Sequence, residues 1–331
     1  MEVEFKNKYH NAQNTNKKKI VFMYAGQGSQ YYNMGKELFY KNEVFMNSLK
    51  LCDSLLQEKL HKSIISIIYD DSKKKDSFNE ILYTHPAIFC FGYSLTQVLY
   101  HYGVYPDGVL GYSLGEYTAA VVSGMVTLKE GLNLVVEQAK MLHNKCIEGG
   151  MMVIFDDIDN FYCNREINRN CTLSGINYDT CYIISGQRDR LLEVNSYLSN
   201  RSILSVILPV KYAFHSELIE PIKKDFLKLI LDIAYKSPQM SIYSSACAGK
   251  LKNYKYYFWD VIRNKIKFKY LISQMNLRNR FIFVDLSPTG TLSNFIKHGF
   301  KGEISSFTTI DQFGKNIESL NRTMYNLKIE K

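Results

Sequence analysis

A serine flanked by two glycines is the first feature of this chain that could perform chemistry. The pattern G-x-S-x-G occupies residues 111–115, with Ser113 at its centre. An apolar, strand-like segment precedes it, and residues 116–122 are compatible with a helix. A sharp strand-to-helix turn of this kind exposes the serine hydroxyl as a nucleophile, and its glycines leave room for neighbouring backbone. The helix N-terminus directs backbone N–H groups at the serine, which makes the amide of Leu114 a candidate oxyanion donor.

A nucleophilic serine needs a base, because an unassisted hydroxyl is a weak nucleophile at neutral pH. His215 lies in the apolar and aromatic sequence Ala213-Phe214-His215-Ser216, just before a predicted helix, and we predict that it is this base. Asp285 ends a predicted strand, but an α/β-hydrolase triad places its acid before the histidine. We therefore interpret Asp285 as structural and predict a Ser-His dyad.

A second glycine-containing turn, at residues 26–30, follows a predicted buried strand. Its sequence GQGSQ lacks the third glycine of a dinucleotide-binding fingerprint, and no GKS or GKT follows, so neither a Rossmann phosphate loop nor a P-loop is indicated. The turn can instead present the backbone N–H of Gln27 as a second oxyanion donor.

The elements that must position these residues alternate between strands and helices. This alternation predicts an α/β fold with a largely parallel sheet covered on both faces. After Gly149-Gly150 the pattern changes, and a small inserted α+β subdomain is expected. The predicted strands are 20–24, 108–110, 151–155, 181–185, 203–208, 240–243 and a last one at 281–285; the predicted helices include 86–100, 116–122, one capped by Thr127 and Glu130, 189–198 and one after Pro221.

Composition excludes several other classes of protein. The chain has 331 residues, of which 46% are hydrophobic, so it can bury a large core. Its seven cysteines and seven histidines are scattered, which predicts no disulfide framework and no metal site. Without a dinucleotide-binding or P-loop motif, no cofactor is expected. No apolar run is long enough to cross a membrane, so we expect a cytoplasmic protein. In the absence of an oligomerisation signal, the default expectation is a monomer. The net charge of +9 is spread along the chain, which suits an acidic partner better than nucleic acid.

Three segments together resemble the malonyl-CoA:acyl carrier protein transacylase family, which includes the acyltransferase domains of polyketide synthases. They are GQGSQ at 26–30, GYSLGEY at 111–117 and AFHS at 213–216. Weaker similarities are THPAI at 84–88, Asn177 with Ser185-Gly186, and DLSPTGTL at 285–292. The resemblance extends from Ile20 to about Phe307.

The resemblance implies how the chain is organised. It implies an α/β-hydrolase-like catalytic domain formed by residues 20–148 and 213–331, with a ferredoxin-like subdomain, residues 149–212, inserted in it. Residues 1–19 would be a polar tether. The acyl group would come from an acyl carrier protein thioester or from acyl-CoA. The amides of Gln27 and Leu114 would stabilise the oxyanion, and the backbone carbonyl of Val261 would orient His215 in place of a carboxylate.

The chain departs from the malonyl-specific members of that family in its predicted substrate-binding residues. Gln138 aligns with the arginine that pairs with the malonyl carboxylate, and a glutamine supplies no charge. Tyr112 replaces a histidine, which also fits an uncharged acyl group. Phe214 and Asn177 complete the predicted substrate-binding set. Lys140 could supply the missing charge, but on a helix it points about 200° away from Gln138.

The neutral glutamine resembles the acyltransferase-like hydrolases that accompany polyketide synthases. The sequence therefore predicts an enzyme that removes acetyl or longer monocarboxylic acyl groups from carrier proteins as a proofreading step. An acetyl or malonyl transferase between CoA and carrier protein is the alternative enzyme. A non-enzymatic alternative is an inactive docking module for carrier proteins, against which the presence of Ser113, His215 and Gln27 argues.

Overall fold

The computed structural model describes residues 18–276, 281–300 and 304–330. Residues 1–17 of the predicted tether lie outside this range, and Lys19 already belongs to the first strand.

Ten strands and fourteen α-helices occur within the described residues, and they alternate along most of the chain. The strands are β1 Lys19–Tyr24, β2 Gly108–Gly111, β3 Gly150–Phe155, β4 Thr172–Tyr178, β5 Cys181–Gly186, β6 Leu204–Ile207, β7 Ser241–Ser244, β8 Gly249–Lys250, β9 Phe281–Asp285 and β10 Ser305–Thr308. The helices are α1 Lys36–Lys41, α2 Glu43–Leu60, α3 Ile64–Ile68, α4 Ile81–His101, α5 Gly115–Val122, α6 Leu128–Lys145, α7 Ile158–Cys163, α8 Arg165–Asn168, α9 Arg188–Ser199, α10 Lys223–Leu231, α11 Tyr257–Arg263, α12 Phe268–Asn276, α13 Thr291–Gly299 and α14 Asn316–Glu330.

The larger sheet is parallel over five strands, as the alternation of strands and helices predicted. Its order is β10-β9-β1-β2-β7-β8, and only the short edge strand β8 runs antiparallel to its neighbour. The central strand β1 has the sequence KIVFMY, and all its residues after Lys19 are buried. A strand buried on both faces must be apolar throughout, which explains why it has no polar alternation.

The second sheet is antiparallel and has the order β4-β5-β3-β6. In chain order, helices follow β3 and β5. The resulting βαββαβ arrangement is ferredoxin-like, as predicted. Alternate residues of β3 serve different cores: Met152 and Ile154 belong to a small local core, whereas Met151 and Val153 pack into the core of the large sheet. Because successive side chains of a strand point to opposite faces, one face of β3 packs into the small core and the other packs against the large domain.

Three strands and one helix start differ from the sequence prediction, and the shortest of these strands, β8, has only two residues and so shows no periodicity. Strand β4 was missed because its sequence TLSGINY contains no apolar alternation and its pairing with β5 is irregular. Strand β10, SSFT, is too polar to be recognised and extends the sheet beyond β9, which we had expected to be the last strand. Helix α4 begins at Ile81, five residues before the predicted start at Pro86. Pro86 therefore lies inside α4, where it supplies no N–H for an intrahelical hydrogen bond.

The helices described here are all too short or too polar to span a lipid bilayer.

Candidate active site

Ser113 lies in a strained turn between β2 and α5. Its φ angle is 52°, in the left-handed region that a non-glycine residue rarely adopts. The surrounding backbone is packed too tightly for larger residues. A Cβ atom on Gly115 would lie 1.9 Å from the carbonyl oxygen of Tyr24, and one on Gly111 would lie 2.4 Å from the Cα atom of Glu116. Both motif glycines are therefore required by close approach, which lets β1 and α5 hold the serine in its strained conformation.

The structure brings His215 to this serine from 102 residues away in the sequence. The Ser113 Oγ atom lies 2.8 Å from the Nε2 atom of His215. On the other side of the ring, Nδ1 lies 2.8 Å from the backbone carbonyl oxygen of Asn264. A carbonyl oxygen can only accept, so Nδ1 carries the proton and Nε2 is free to accept the proton of the serine.

The C-terminal end of α11 holds His215 in place. The amide N–H of His215 donates to the carbonyl oxygen of Ile262 at 2.9 Å, and Asn264 is the residue that caps the helix. Carbonyl groups at a helix C-terminus have no intrahelical partner, so they are available to the imidazole. The prediction that Val261 supplies the carbonyl is wrong: Val261 lies inside the helix, whereas extended Asn264 turns its carbonyl oxygen toward the ring.

Burial keeps the imidazole neutral. His215 is 1% exposed, and burial lowers its pKa to about 4, although its hydrogen bond to the Asn264 carbonyl favours the protonated form. The unprotonated ring is therefore the dominant form at neutral pH, as a general base requires. His215 also has a positive φ of 60°, so both members of the predicted dyad occupy left-handed backbone.

The turn that carries Gln27 packs against the turn that carries Ser113 and Leu114. A Cβ atom on Gly26 would lie 2.9 Å from both the Leu114 nitrogen and the Ser113 Cβ atom. The Gly26-Gln27 turn therefore contacts the strand-to-helix turn at residues 111–115, which we call the elbow. Within the described parts of the chain, neither amide N–H donates to a protein acceptor, whereas those of Tyr112 and Gly115 do. An oxyanion hole requires N–H groups that are free to donate, so the oxyanion role of these two amides stays a prediction.

Side-chain contacts fix the Gly26-Gln27 turn. The Gln27 Nε2 atom donates to the Thr84 hydroxyl at 2.8 Å, which ties the turn to α4. The Gln30 side chain accepts from the amide of Gly28 and donates to the carbonyl oxygens of Phe78 and Pro209. The turn is therefore held both by the region around the start of α4 and by the residues that follow β6.

Gln138 is buried in α6, and its side-chain oxygen accepts a hydrogen bond from the hydroxyl of Tyr117 on α5. Lys140, which could have supplied a charge in its place, pairs instead with Glu137 at 3.3 Å and has a side chain 39% exposed. The position that the resemblance aligns with an arginine therefore holds an amide, and the neighbouring lysine is turned toward the surface.

The structure also brings Tyr112 and Asn177 together. The Tyr112 hydroxyl donates to the Asn177 side-chain oxygen at 2.7 Å, and both residues are buried. Because Asn177 lies on β4, this bond links the elbow to the small sheet. Phe214 is buried beside His215, and its carbonyl oxygen accepts from the Ser185 hydroxyl at 2.6 Å. The substrate-binding roles assigned to these residues stay predictions.

Glu116 is a buried residue that the sequence analysis did not single out. One carboxylate oxygen accepts from the hydroxyls of Ser244 and Ser245, and the other accepts from the Tyr257 hydroxyl at 2.5 Å. Burial raises the pKa of the Glu116 carboxyl to about 7, although these hydrogen bonds favour the ionised form. The sequence signal that could have identified Glu116 is that it is the only acidic residue in the otherwise apolar helix sequence GEYTAAVV.

Asp285 accepts hydrogen bonds from the amides of Ser287 and Ser293 and does not contact His215. These contacts agree with its interpretation as a structural residue. Among the described residues, no group of three His, Cys, Asp or Glu side chains could hold a metal ion.

Comparison with known proteins places this geometry in a family. Residues 21–329 match the model of the acyl transferase domain. The chain is 37% identical over 310 residues to the polyketide biosynthesis acyltransferase homolog PksD of Bacillus subtilis, covering 92% of this chain and 96% of that protein. It is 33% identical over 280 residues to the homolog BaeD of Bacillus velezensis, covering 84% and 86% of the two chains.

Solved structures with the same fold include two acyl-transferring proteins. A loading acyltransferase of the avermectin modular polyketide synthase aligns with a TM-score of 0.84 at 21% identity, over 93% of this chain and 99% of that one. The malonyl CoA-acyl carrier protein transacylase of Clostridium perfringens aligns with a TM-score of 0.78 at 22% identity, over 94% and 97%. At these identities the likeness concerns the fold. The match over residues 21–329, together with the two Bacillus relatives, shows that this chain belongs to the acyl transferase domain family.

Proposed function

We propose that the protein is an acyl hydrolase, which removes acetyl or longer monocarboxylic acyl groups from the thioester of an acyl carrier protein. The observation that carries this proposal is the buried amide of Gln138, held by the Tyr117 hydroxyl where a malonyl-specific enzyme needs a cation. The names of the Bacillus relatives support a place in polyketide assembly, where such an enzyme clears stalled carrier proteins.

Acylation uses the Ser113 hydroxyl and the neutral His215 ring. As the Oγ atom attacks the thioester carbonyl carbon, Nε2 takes its proton, and the carbonyl oxygen becomes an oxyanion that the amides of Gln27 and Leu114 stabilise. The carbon–sulfur bond then breaks, and the departing sulfur receives the proton from His215. The products are the free thiol of the carrier protein and an acyl ester on Ser113.

Deacylation repeats these steps with water as the nucleophile. His215 takes a proton from water as its oxygen attacks the ester carbonyl, and the same two amides stabilise the second oxyanion. The ester bond breaks, and Ser113 recovers its proton from His215. The carboxylic acid leaves, and the enzyme returns to its starting state.

We expect the neutral amide at position 138 to determine which acyl groups are accepted. A malonyl group would bring a carboxylate to the buried side of the cleft, where Gln138 offers no counter-charge and Lys140 is engaged with Glu137. Leaving a buried charge unpaired costs about 3–5 kcal/mol, which corresponds to a factor of several hundred in binding. Acetyl and longer uncharged chains avoid this cost.

A transferase is the second candidate, since the family takes its name from acyl transfer. It would form the same Ser113 ester and pass the acyl group to a second thiol instead of to water. The experiment that distinguishes the two candidates incubates the protein with acetyl-loaded and malonyl-loaded carrier protein and follows both by intact mass.

For a hydrolase, acetyl-loaded carrier protein is converted to the free thiol, added unloaded carrier protein stays unloaded, and malonyl-loaded carrier protein persists. The Ser113→Ala variant should be inactive, because it lacks the nucleophile. Efficient loading of fresh carrier protein from malonyl-CoA would refute the hydrolase proposal. Turnover that survives in Ser113→Ala would refute the assignment of the nucleophile.

A further inference from the structure

His85, near the start of α4, is a buried imidazole without a hydrogen-bond partner. It is 1% exposed, and across the described residues no group bonds to either of its ring nitrogens. The backbone of Val135 lies near the ring without forming a hydrogen bond of ordinary geometry. A neutral imidazole always carries one donor and one acceptor, and leaving a buried polar group unpaired costs about 1–3 kcal/mol. The fold therefore retains an unfavourable residue here.

His215 provides the contrast within the same chain. It is equally buried, yet both of its ring nitrogens have partners at 2.8 Å. Buried polar groups in folded proteins are paired in the great majority of cases, so an exception calls for an explanation. A leucine could fill a similar volume at position 85 without this cost.

His85 lies among segments that carry the predicted site residues. The preceding residue, Thr84, holds the side chain of Gln27 at 2.8 Å. The His85 ring lies 5.6 Å from the ring of Phe214, which is the neighbour of His215. Val135, whose backbone faces His85, lies one helical turn before Gln138 on α6. His85 is thus surrounded by the segments that carry the predicted oxyanion donor, the predicted base and the neutral amide.

The ring is uncharged under ordinary conditions, because burial lowers its pKa to about 3. A neutral imidazole recognises a group that accepts or donates a hydrogen bond without a formal charge. A hydroxyl group can do either, and a keto oxygen can accept from the ring N–H. A carboxylate could accept from the same N–H, but the uncharged ring would leave its buried charge without a counter-charge.

We propose that His85 is a specificity-determining residue, whose unpaired imidazole hydrogen-bonds an oxygen substituent on the acyl chain. The protein then prefers hydroxyacyl or ketoacyl groups to the corresponding unsubstituted acyl groups. This inference rests on the proposed function to the extent that Ser113 accepts the acyl group, and it does not depend on whether water or a thiol removes it.

The test compares butyryl, 3-hydroxybutyryl and 3-oxobutyryl groups presented as carrier-protein thioesters, and measures the rate of Ser113 acylation by intact mass. The native protein should favour at least one oxygenated group over butyryl by about tenfold or more, the value of one well-placed hydrogen bond. His85→Leu should abolish that preference, and His85→Gln should retain part of it. His101→Leu, an exposed histidine on the same helix, is the matched control.

Two further measurements keep the outcome decisive. Binding of the same three acyl groups, as short thioester analogues, to Ser113→Ala and to Ser113→Ala/His85→Leu is measured by calorimetry, which needs no turnover. His85→Leu should also melt at a higher temperature than the native protein, because it removes an unpaired buried polar group.

The proposal is overturned if His85→Leu leaves the ratio of oxygenated to unsubstituted acyl groups unchanged in both acylation and binding. It is also overturned if the variant slows all three groups equally, since that would indicate a structural role. Failure of the proposed function would look different, because no acyl-Ser113 would form with any thioester. The calorimetric comparison would still show whether His85 contributes to binding of the oxygenated acyl groups.

Discussion

Ser113 and His215 both occupy left-handed backbone, with φ angles of 52° and 60°. Such conformations cost about 1–3 kcal/mol each in a non-glycine residue and persist only when the surroundings impose them. Here the packing of Gly115 against β1 fixes the serine, and the Ile262 and Asn264 carbonyl oxygens fix the histidine. The hydrogen bond between the two side chains is thereby formed before any substrate binds, which reduces the reorganisation that catalysis would require.

Acyl selectivity should change at a single residue. Replacing the buried amide in Gln138→Arg supplies a guanidinium that can pair with a carboxylate, so we expect malonyl occupancy of Ser113 to rise by about tenfold or more. Intact mass after exposure to malonyl-loaded carrier protein measures it. Gln138→Leu is the matched control, because it also removes the contact with Tyr117 but adds no charge. Equal malonyl occupancy in both variants would contradict the specificity argument.

At the scale of elements, the elbow depends on the contact between α5 and β1. A methyl group in Gly115→Ala would have to lie within 1.9 Å of the Tyr24 carbonyl oxygen, so the helix and the strand must separate. We expect a loss of about 3 kcal/mol in the free energy of unfolding, measured by denaturant titration.

Gly249→Ala in β8 is the control for this substitution, because the nearest atom to its added methyl group is a side-chain oxygen at 3.9 Å. It should change the free energy of unfolding by less than about 1 kcal/mol. If Gly115→Ala were as stable as this control, the tight packing around the elbow would not be what holds Ser113.

The Glu116 carboxyl links three elements around the elbow. It lies on α5, and its partners are the serines at the end of β7 and Tyr257 at the start of α11. Since the C-terminal end of α11 holds His215, this buried cluster connects the helix of the nucleophile with the helix that orients the base. A buried network of this kind is rigid when every member is paired.

At the scale of the whole molecule, three buried groups with large pKa shifts contribute to the dependence of stability on pH. The pKa values of His85 and His215 are lowered to about 3 and about 4. Between those values and about pH 6.5, the two histidines are protonated in the unfolded chain but neutral in the folded chain. Their contribution to stability is therefore lost as the pH falls through this window. Glu116, with its pKa raised to about 7, acts in the opposite sense between about pH 4.5 and 7.

As the pH falls from 6.5 to 4.5, the two histidines should consequently destabilise the protein, while Glu116 and Asp285, whose pKa burial also raises, oppose them. In Glu116→Gln the contribution of Glu116 is absent, so the variant should lose about 2 kcal/mol more stability than the native protein over this range. Denaturant unfolding at a series of pH values measures both slopes. A Glu116→Gln slope equal to that of the native protein would mean that Glu116 titrates normally in the fold.

Much of the fold and the main site motifs could be predicted because the relevant signals are local. The buried strand at β1, the capping box of α6 and the motif around Ser113 are each contained within a short window of sequence. Periodicity and turn chemistry act over the same distances, so these elements were found with boundaries within a few residues. The polar strands β4 and β10 were missed because pairing with neighbouring strands, and no local pattern, makes them strands.

The sequence alone determined the fold class, the candidate nucleophile and base, and the neutral residue at position 138. Tertiary structure decided which groups meet: the Asn264 carbonyl with His215, Tyr112 with Asn177, and Glu116 with residues more than a hundred positions away. It also decided that His85 is buried without a partner. The physical reason is that hydrogen-bond partners and burial depend on how distant segments pack, which no local pattern of residue types records.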